Sequence, residues 1–184
     1  MKKLILVNGD LATGKSHFAI ILQNRFHLPL FTKDEFKEEY SKIYPFSTYE
    51  ESHRLSIMAM DTLVDKFKET AKSGGDLILE ANFREHYLEE LYTLSEAYGY
   101  KMLNINLVGS PEILFDRYMN RIKNENRHPV HLINKLDEFD KFEKYTLDRR
   151  KEKMFGMVIT VNADDLSYQQ NEKLLNQIEE FLNN

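Results

Sequence analysis

The 184-residue chain contains no cysteine, only seven glycines and four prolines, and no long hydrophobic run. Without cysteine there are no disulfides, no thiolate zinc sites and no cysteine nucleophile, which suits a reducing compartment. The apolar run in the opening MKKLILVNGD is only Leu4 to Val7. A secretory h-region needs about 7–15 apolar residues and a membrane span about 20. A soluble, cytoplasmic protein without membrane contact is therefore expected. So few Gly and Pro leave no linker, repeat or low-complexity tract. Positive charge is not in excess either: 25 Lys+Arg against 30 Asp+Glu gives a net charge of −5, which argues against a protein that coats nucleic acid. The six histidines form no H-E-x-x-H, and no G-x-S-x-G appears.

What is present is an ordinary globular composition, 42% hydrophobic and 30% charged, of a length that suits one domain spanning residues 1–184. Short apolar runs at Leu4–Val7, Pro29–Thr32, Leu77–Leu79, Met102–Val108 and Met157–Val161 read as strands buried on both faces. Between them lie helical periodicities. Leu55, Met58, Ala59, Thr62, Leu63 and Phe67 mark one face of a long helix, and Leu174, Leu175, Ile178, Phe181 and Leu182 form a terminal stripe. Strands alternating with helices predict an α/β fold: a three-layer α/β/α sandwich on a parallel sheet of about five strands. Ligands in such sheets bind at the carboxyl ends of the strands.

Directly after the first strand stands GDLATGKS, a full match to G-x-x-x-x-G-K-[ST] between a buried strand and a helix. Its residues Gly9, Asp10, Leu11, Ala12, Thr13, Gly14, Lys15 and Ser16, with His17 behind them, are the expected nucleotide-binding set. The glycines let successive amides point inward as an anion nest, backed by the positive end of the next helix. Lys15 supplies charge to the β- and γ-phosphates of ATP, and the Ser16 hydroxyl can ligate Mg²⁺. Asp10 is unusual beside phosphates, and its side chain is expected to point away. No guanine-reading N-K-x-D follows a later strand.

Four segments together, GDLATGKS, FTKDEFK, LILEANFR and RYMNRIKNENRHP, resemble the small P-loop kinases, above all the group of polynucleotide kinase, chloramphenicol phosphotransferase and zeta toxin. The resemblance implies an ATP-Mg²⁺-dependent phosphotransferase with a small-molecule acceptor and a helical lid at about 117–131. Asp34 would face the acceptor hydroxyl as general base or orienting group; the competing reading makes it the N-cap of the next helix. Glu80 would hold a magnesium-bound water or orient the acceptor, with Asn82 and Arg84 lining the acceptor pocket, although Arg84 could equally be a surface residue. Of the lid arginines, Arg121 and then Arg127 are the candidates for clamping the transferring phosphoryl group, since a guanidinium fork binds two phosphate oxygens. Arg117 would pack on the nucleotide, and His128 is read as structural. The segment at about 38–63, with Tyr40, Tyr44, Phe46, Tyr49 and His53, occupies the acceptor position and suits a nucleoside, nucleotide or other ring-bearing molecule. Two alternatives stay open: a nucleotide-binding regulatory NTPase, and a 5′-hydroxyl polynucleotide kinase, for which Lys33, Lys37 and Lys42 make only a thin basic channel.

Overall fold

The computed structural model describes residues 1–124, 127–133 and 136–184. Five strands, β1 (Lys2–Gly9), β2 (Leu30–Thr32), β3 (Leu77–Glu80), β4 (Tyr100–Val108) and β5 (Met157–Asn162), form one sheet in the order β2-β3-β1-β4-β5. Every pairing is parallel, with Leu4 opposite Leu77 on one side of β1 and opposite Met102 on the other. Among the described residues seven α-helices connect or follow the strands: α1 (Lys15–Phe26), α2 (Lys33–Ser41), α3 (Tyr49–Ser73), α4 (Glu85–Tyr98), α5 (Pro111–Asn124), α6 (Phe139–Arg149) and α7 (Glu172–Asn183). Among the described residues no helix is long and apolar enough to cross a membrane.

The period-two alternation of β1 sends its side chains into two separate cores. Leu4 and Leu6 pack with Leu63 and Phe67 of α3 and Leu88 and Leu91 of α4. Ile5 and Val7 pack with Phe18 and Leu22 of α1 and Ile178 and Phe181 of α7. A third cluster, Leu114, Tyr118 and Phe142, joins α5 to α6 beside Leu11 and Ala12. The long helix α3 starts with a reciprocal capping box, in which the Thr48 hydroxyl accepts from the Glu51 amide and the Glu51 carboxylate from the Thr48 amide.

Two strands depart from the expected burial. β5 lies at one edge, with Met157 and Val158 exposed and only Ile159 and Val161 packed on a core. β2 lies at the other edge, where Leu30 and Phe31 are partly buried. An edge strand has a neighbour on one side only: one face of β5 stays open, while Leu30 and Phe31 of β2 still pack on the two cores.

Candidate active site

The phosphate loop sits where β1, the central strand, ends. Gly9 has φ +126°, and a Cβ there would lie 2.0 Å from the Leu107 carbonyl oxygen of β4, so no side chain fits. The Thr13 hydroxyl donates to the Asp10 carbonyl (2.9 Å), and the Tyr168 hydroxyl donates to the Thr13 carbonyl (2.8 Å). These bonds fix the curl of the loop from within and from behind. The N-cap of α1 is Gly14, which offers no side-chain cap, so the first amides of the helix are available to an anion. The Lys15 ammonium donates to the carbonyls of Gly9 and Asp10. Burial pushes it down to about 8, against the pull of Glu80, Asp10 and Asp34.

A cavity of about 960 Å³ opens above the loop. Leu11, Ala12, Gly14, Lys15, Ser16 and His17 line it, whereas Gly9, Asp10 and Thr13 do not. The Asp10 carboxylate is turned to the other side. There it accepts from Arg150 Nε (3.1 Å) and Nη2 (2.5 Å) and from the Gly109 amide (3.3 Å). The Arg117 guanidinium donates to the carbonyls of Ala163 and Asp164 and lines the same cavity beside Leu166.

The opposite end is built by α2, α3, the end of β3 and the 127–131 segment. Thr32, one residue before α2, is its N-cap, accepting from the Glu35 amide at 3.3 Å. The capping role is thereby taken, and Asp34 faces the cavity. Its carboxylate has Arg127 Nη2 at 3.3 Å, Lys33 Nζ at 3.4 Å and His131 Nδ1 at 3.9 Å. Burial would raise this carboxyl, but Lys33, His131 and Arg127 around it hold it well below the usual carboxylate range. Glu80 closes β3 and is 5% exposed. Its Oε2 accepts from the Ser16 hydroxyl at 3.3 Å, and burial pushes its carboxyl up to about 6, with Lys15 opposing and Asp34 adding to the shift. Asn82 and Arg84 line the cavity, Arg84 half-exposed and paired with Glu152 at 3.0 Å.

Of the aromatic set at 40–53, Tyr49 and His53 line the cavity as a parallel pair with centroids 5.7 Å apart. Tyr40 instead bonds to Thr62, and Phe46 lies against His128. Arg121 lines the cavity from α5. Glu125 and Asn126, within the expected lid, lie outside the described residues. The string NKLD at 134–137 precedes α6 rather than following a strand, and its Asn134 and Lys135 also lie outside them.

Several cavity residues escaped the sequence reading as site residues. His131 binds Glu38 at 2.9 Å and faces Asp34. Tyr118 and Tyr145 enter from α5 and α6. Lys37 had a signal, its position three residues after Asp34 on one helix face; outside the cavity, Arg150, 140 residues from Asp10, had none.

No curated protein matches this chain. Among solved structures, a protein from Chloroflexus aurantiacus described as a "putative kinase" is 26% identical over 98% of both chains, with a TM-score of 0.81. A sugar kinase from a Janibacter species (15% identity, 97% and 95% covered, TM-score 0.63) and the shikimate kinase of Bacteroides thetaiotaomicron (16%, 99% and 99%, 0.61) share the fold. A family model described as AAA domain matches residues 5–141. That match runs through the phosphate loop, Asp34, Glu80 and the arginine segment: the chain belongs to the AAA domain family, in a P-loop kinase-like form.

Proposed function

We propose that this protein is an ATP- and magnesium-dependent phosphotransferase that phosphorylates a small hydroxylated molecule, with residues 1–184 acting as one domain. The observation that carries the reading is a single cavity lined at one end by the phosphate loop and at the other by the charged carboxylate of Asp34. A regulatory NTPase would need the first end only.

The residues fit the implied ion. Ser16 and Glu80 put two hard oxygen donors side by side at 3.3 Å, and among the described residues there is no cluster of three protein ligands. That suits Mg²⁺, which keeps several waters and shares phosphate oxygens. When bound, the ion neutralises part of the triphosphate charge and leaves the γ-phosphorus open to attack.

The chain supplies position and charge. The loop amides and Lys15 hold the β- and γ-phosphates. Asp34, ionised throughout the physiological range, accepts a hydrogen bond from the acceptor hydroxyl and aims its oxygen at the γ-phosphorus. As that O–P bond forms, the bond to the β,γ-bridging oxygen breaks, ADP leaves and the hydroxyl proton passes to the carboxylate. Arg121 and Arg127 line the path and neutralise the migrating group, and the 117–131 lid excludes water as a competing acceptor.

The test is transfer from γ-labelled ATP to a panel of hydroxylated rings, nucleosides, nucleotides and a 5′-hydroxyl oligonucleotide. Lys15→Ala should lower the transfer rate by about 100-fold or more with little change in melting temperature. Transfer at the wild-type rate by that variant, or hydrolysis alone with every acceptor, overturns the reading.

A further inference from the structure

Helix α2 turns Lys33, Asp34 and Lys37 toward the cavity. Lys37 is 7% exposed, and its ammonium donates to the Ser52 hydroxyl at 2.9 Å. Other cations at this end have an anionic partner: Lys33 and Arg127 reach Asp34, and Arg84 reaches Glu152. Lys37 has a neutral hydroxyl, and among the described residues it forms no ion pair. Burying an ammonium without a counter-charge is costly. Lys33, one turn away on the same helix face, adds like-charge repulsion. Burial, Lys33 and Arg127 together push the ammonium down to about 8, against the pull of Asp34. A helix shaped for stability alone would carry an apolar residue here.

We propose that Lys37 is an anion-recognition residue for the acceptor, holding a carboxylate or phosphate group of the molecule whose hydroxyl faces Asp34. The proposal rests on the phosphotransferase reading above and narrows its substrate class. Asp34 and Lys37 are one helix turn apart, with Cβ atoms about 5–6 Å from each other, so one small acceptor can present its hydroxyl to the first and its acidic group to the second. The parallel rings of Tyr49 and His53 give another part of the wall a flat face. A hydroxylated ring bearing one acidic substituent satisfies all three features.

The same lysine could serve only as a pin. The Ser52 hydroxyl in turn donates to the Val130 carbonyl at 3.1 Å, so a Lys37–Ser52–Val130 chain ties α2 and α3 to the 3-10 turn Pro129–His131. The experiment separates the two roles. Protein saturated with Mg²⁺ and a non-hydrolysable ATP analogue, so that the phosphate loop is filled, is titrated calorimetrically with matched probes. These are inorganic phosphate, uridine 5′-monophosphate against uridine, and 3-hydroxycyclohexanecarboxylate against its methyl ester.

In at least one pair the charged member should bind wild type at least about tenfold more tightly than its neutral partner. Lys37→Met should erase that preference, Lys37→Arg should keep part of it, and Ser52→Ala, which removes the pin but leaves the ammonium, should keep it. If Lys37→Met does not fold, Lys37→Arg and Ser52→Ala carry the comparison. Equal affinities within every pair, no anion bound by the nucleotide-loaded protein, a preference that survives in Lys37→Met, or an equal loss in Ser52→Ala overturns the proposal while leaving the phosphotransferase reading in place. Failure of the ATP analogue to bind, seen before any probe is added, brings down both.

Discussion

The Asp10–Arg150 pair makes the phosphate loop depend on a helix far away in sequence, and that dependence can be measured. The Asp10 side chain is 4% exposed and that of Arg150 31%. Replacing Arg150 by Met strips Asp10 of both guanidinium bonds and leaves it the Gly109 amide at 3.3 Å. Removing one partner of a buried pair costs about 3–5 kcal/mol. Because Arg150 is partly in water, about 2–3 kcal/mol is expected, a fall in melting temperature of roughly 5–10 °C for a chain of this length. The stranded carboxylate also repels the nucleotide phosphates in the cradle, so the Kd for magnesium–ADP should rise about tenfold, or about 1.4 kcal/mol. Asp10→Asn combined with Arg150→Met removes the stranded charge and should recover most of both losses. Differential scanning calorimetry and nucleotide titration on the four proteins of the cycle check this. An Arg150→Met variant that melts within about 1 °C of wild type, or a double variant no better than the single, refutes the reasoning.

Two further tests concern the same end of the sheet. A Glu80 carboxyl lifted from about 4.5 to about 6 by burial binds its proton more tightly in the folded state. Its stabilisation is present below about pH 4.5 and lost as pH rises through about 6, roughly 2 kcal/mol in all; Glu80→Gln should remove that slope from metal-free melting curves. Gly9→Ala forces a Cβ against the Leu107 carbonyl at a positive φ and should cost more than about 3 kcal/mol. Gly14→Ala should cost less, because its nearest contacts are side-chain ends of Gln169 and Tyr168; soluble yield and thermal melts rank the two.

The parts that could be read from the sequence are those set by local spacing. The apolar run of β1, the glycines of the loop and the helix after it are consecutive, and each constrains its neighbours by backbone sterics and hydrogen bonding alone. The same holds for the 3.6-residue periodicity of α3, where Leu55, Ala59, Leu63 and Phe67 of the expected face are buried and Met58 and Thr62 partly so. Edge position is different: Met157–Val161 is as apolar as an inner strand, and only the strand order leaves one of its faces open. Asp34 shows the limit at a single residue. Both Thr32 and Asp34 are competent N-caps, and the boundary between them is decided by where β2 stops. Tyr40 and Tyr49 are alike in composition, yet Tyr40 turns to Thr62 while Tyr49 joins the cavity wall.

Net charge illustrates the same point at the scale of the whole chain. The sequence sums to −5, yet among the described residues the cavity is lined by Lys15, Lys33, Lys37, Arg84, Arg117, Arg121 and Arg127 against Asp34 and Glu80. A concave wall concentrates the field of the charges that line it, while acidic groups on the outer surface are screened within about 10 Å at moderate salt. An anionic ligand therefore responds to the local excess of cations rather than to the sum. Magnesium–ADP binding should weaken several-fold as ionic strength rises from about 0.05 M to about 0.5 M, where the screening length falls from above 10 Å to about 4 Å. If the negative total governed the approach, screening would instead relieve repulsion and tighten binding, and that outcome would refute the local account.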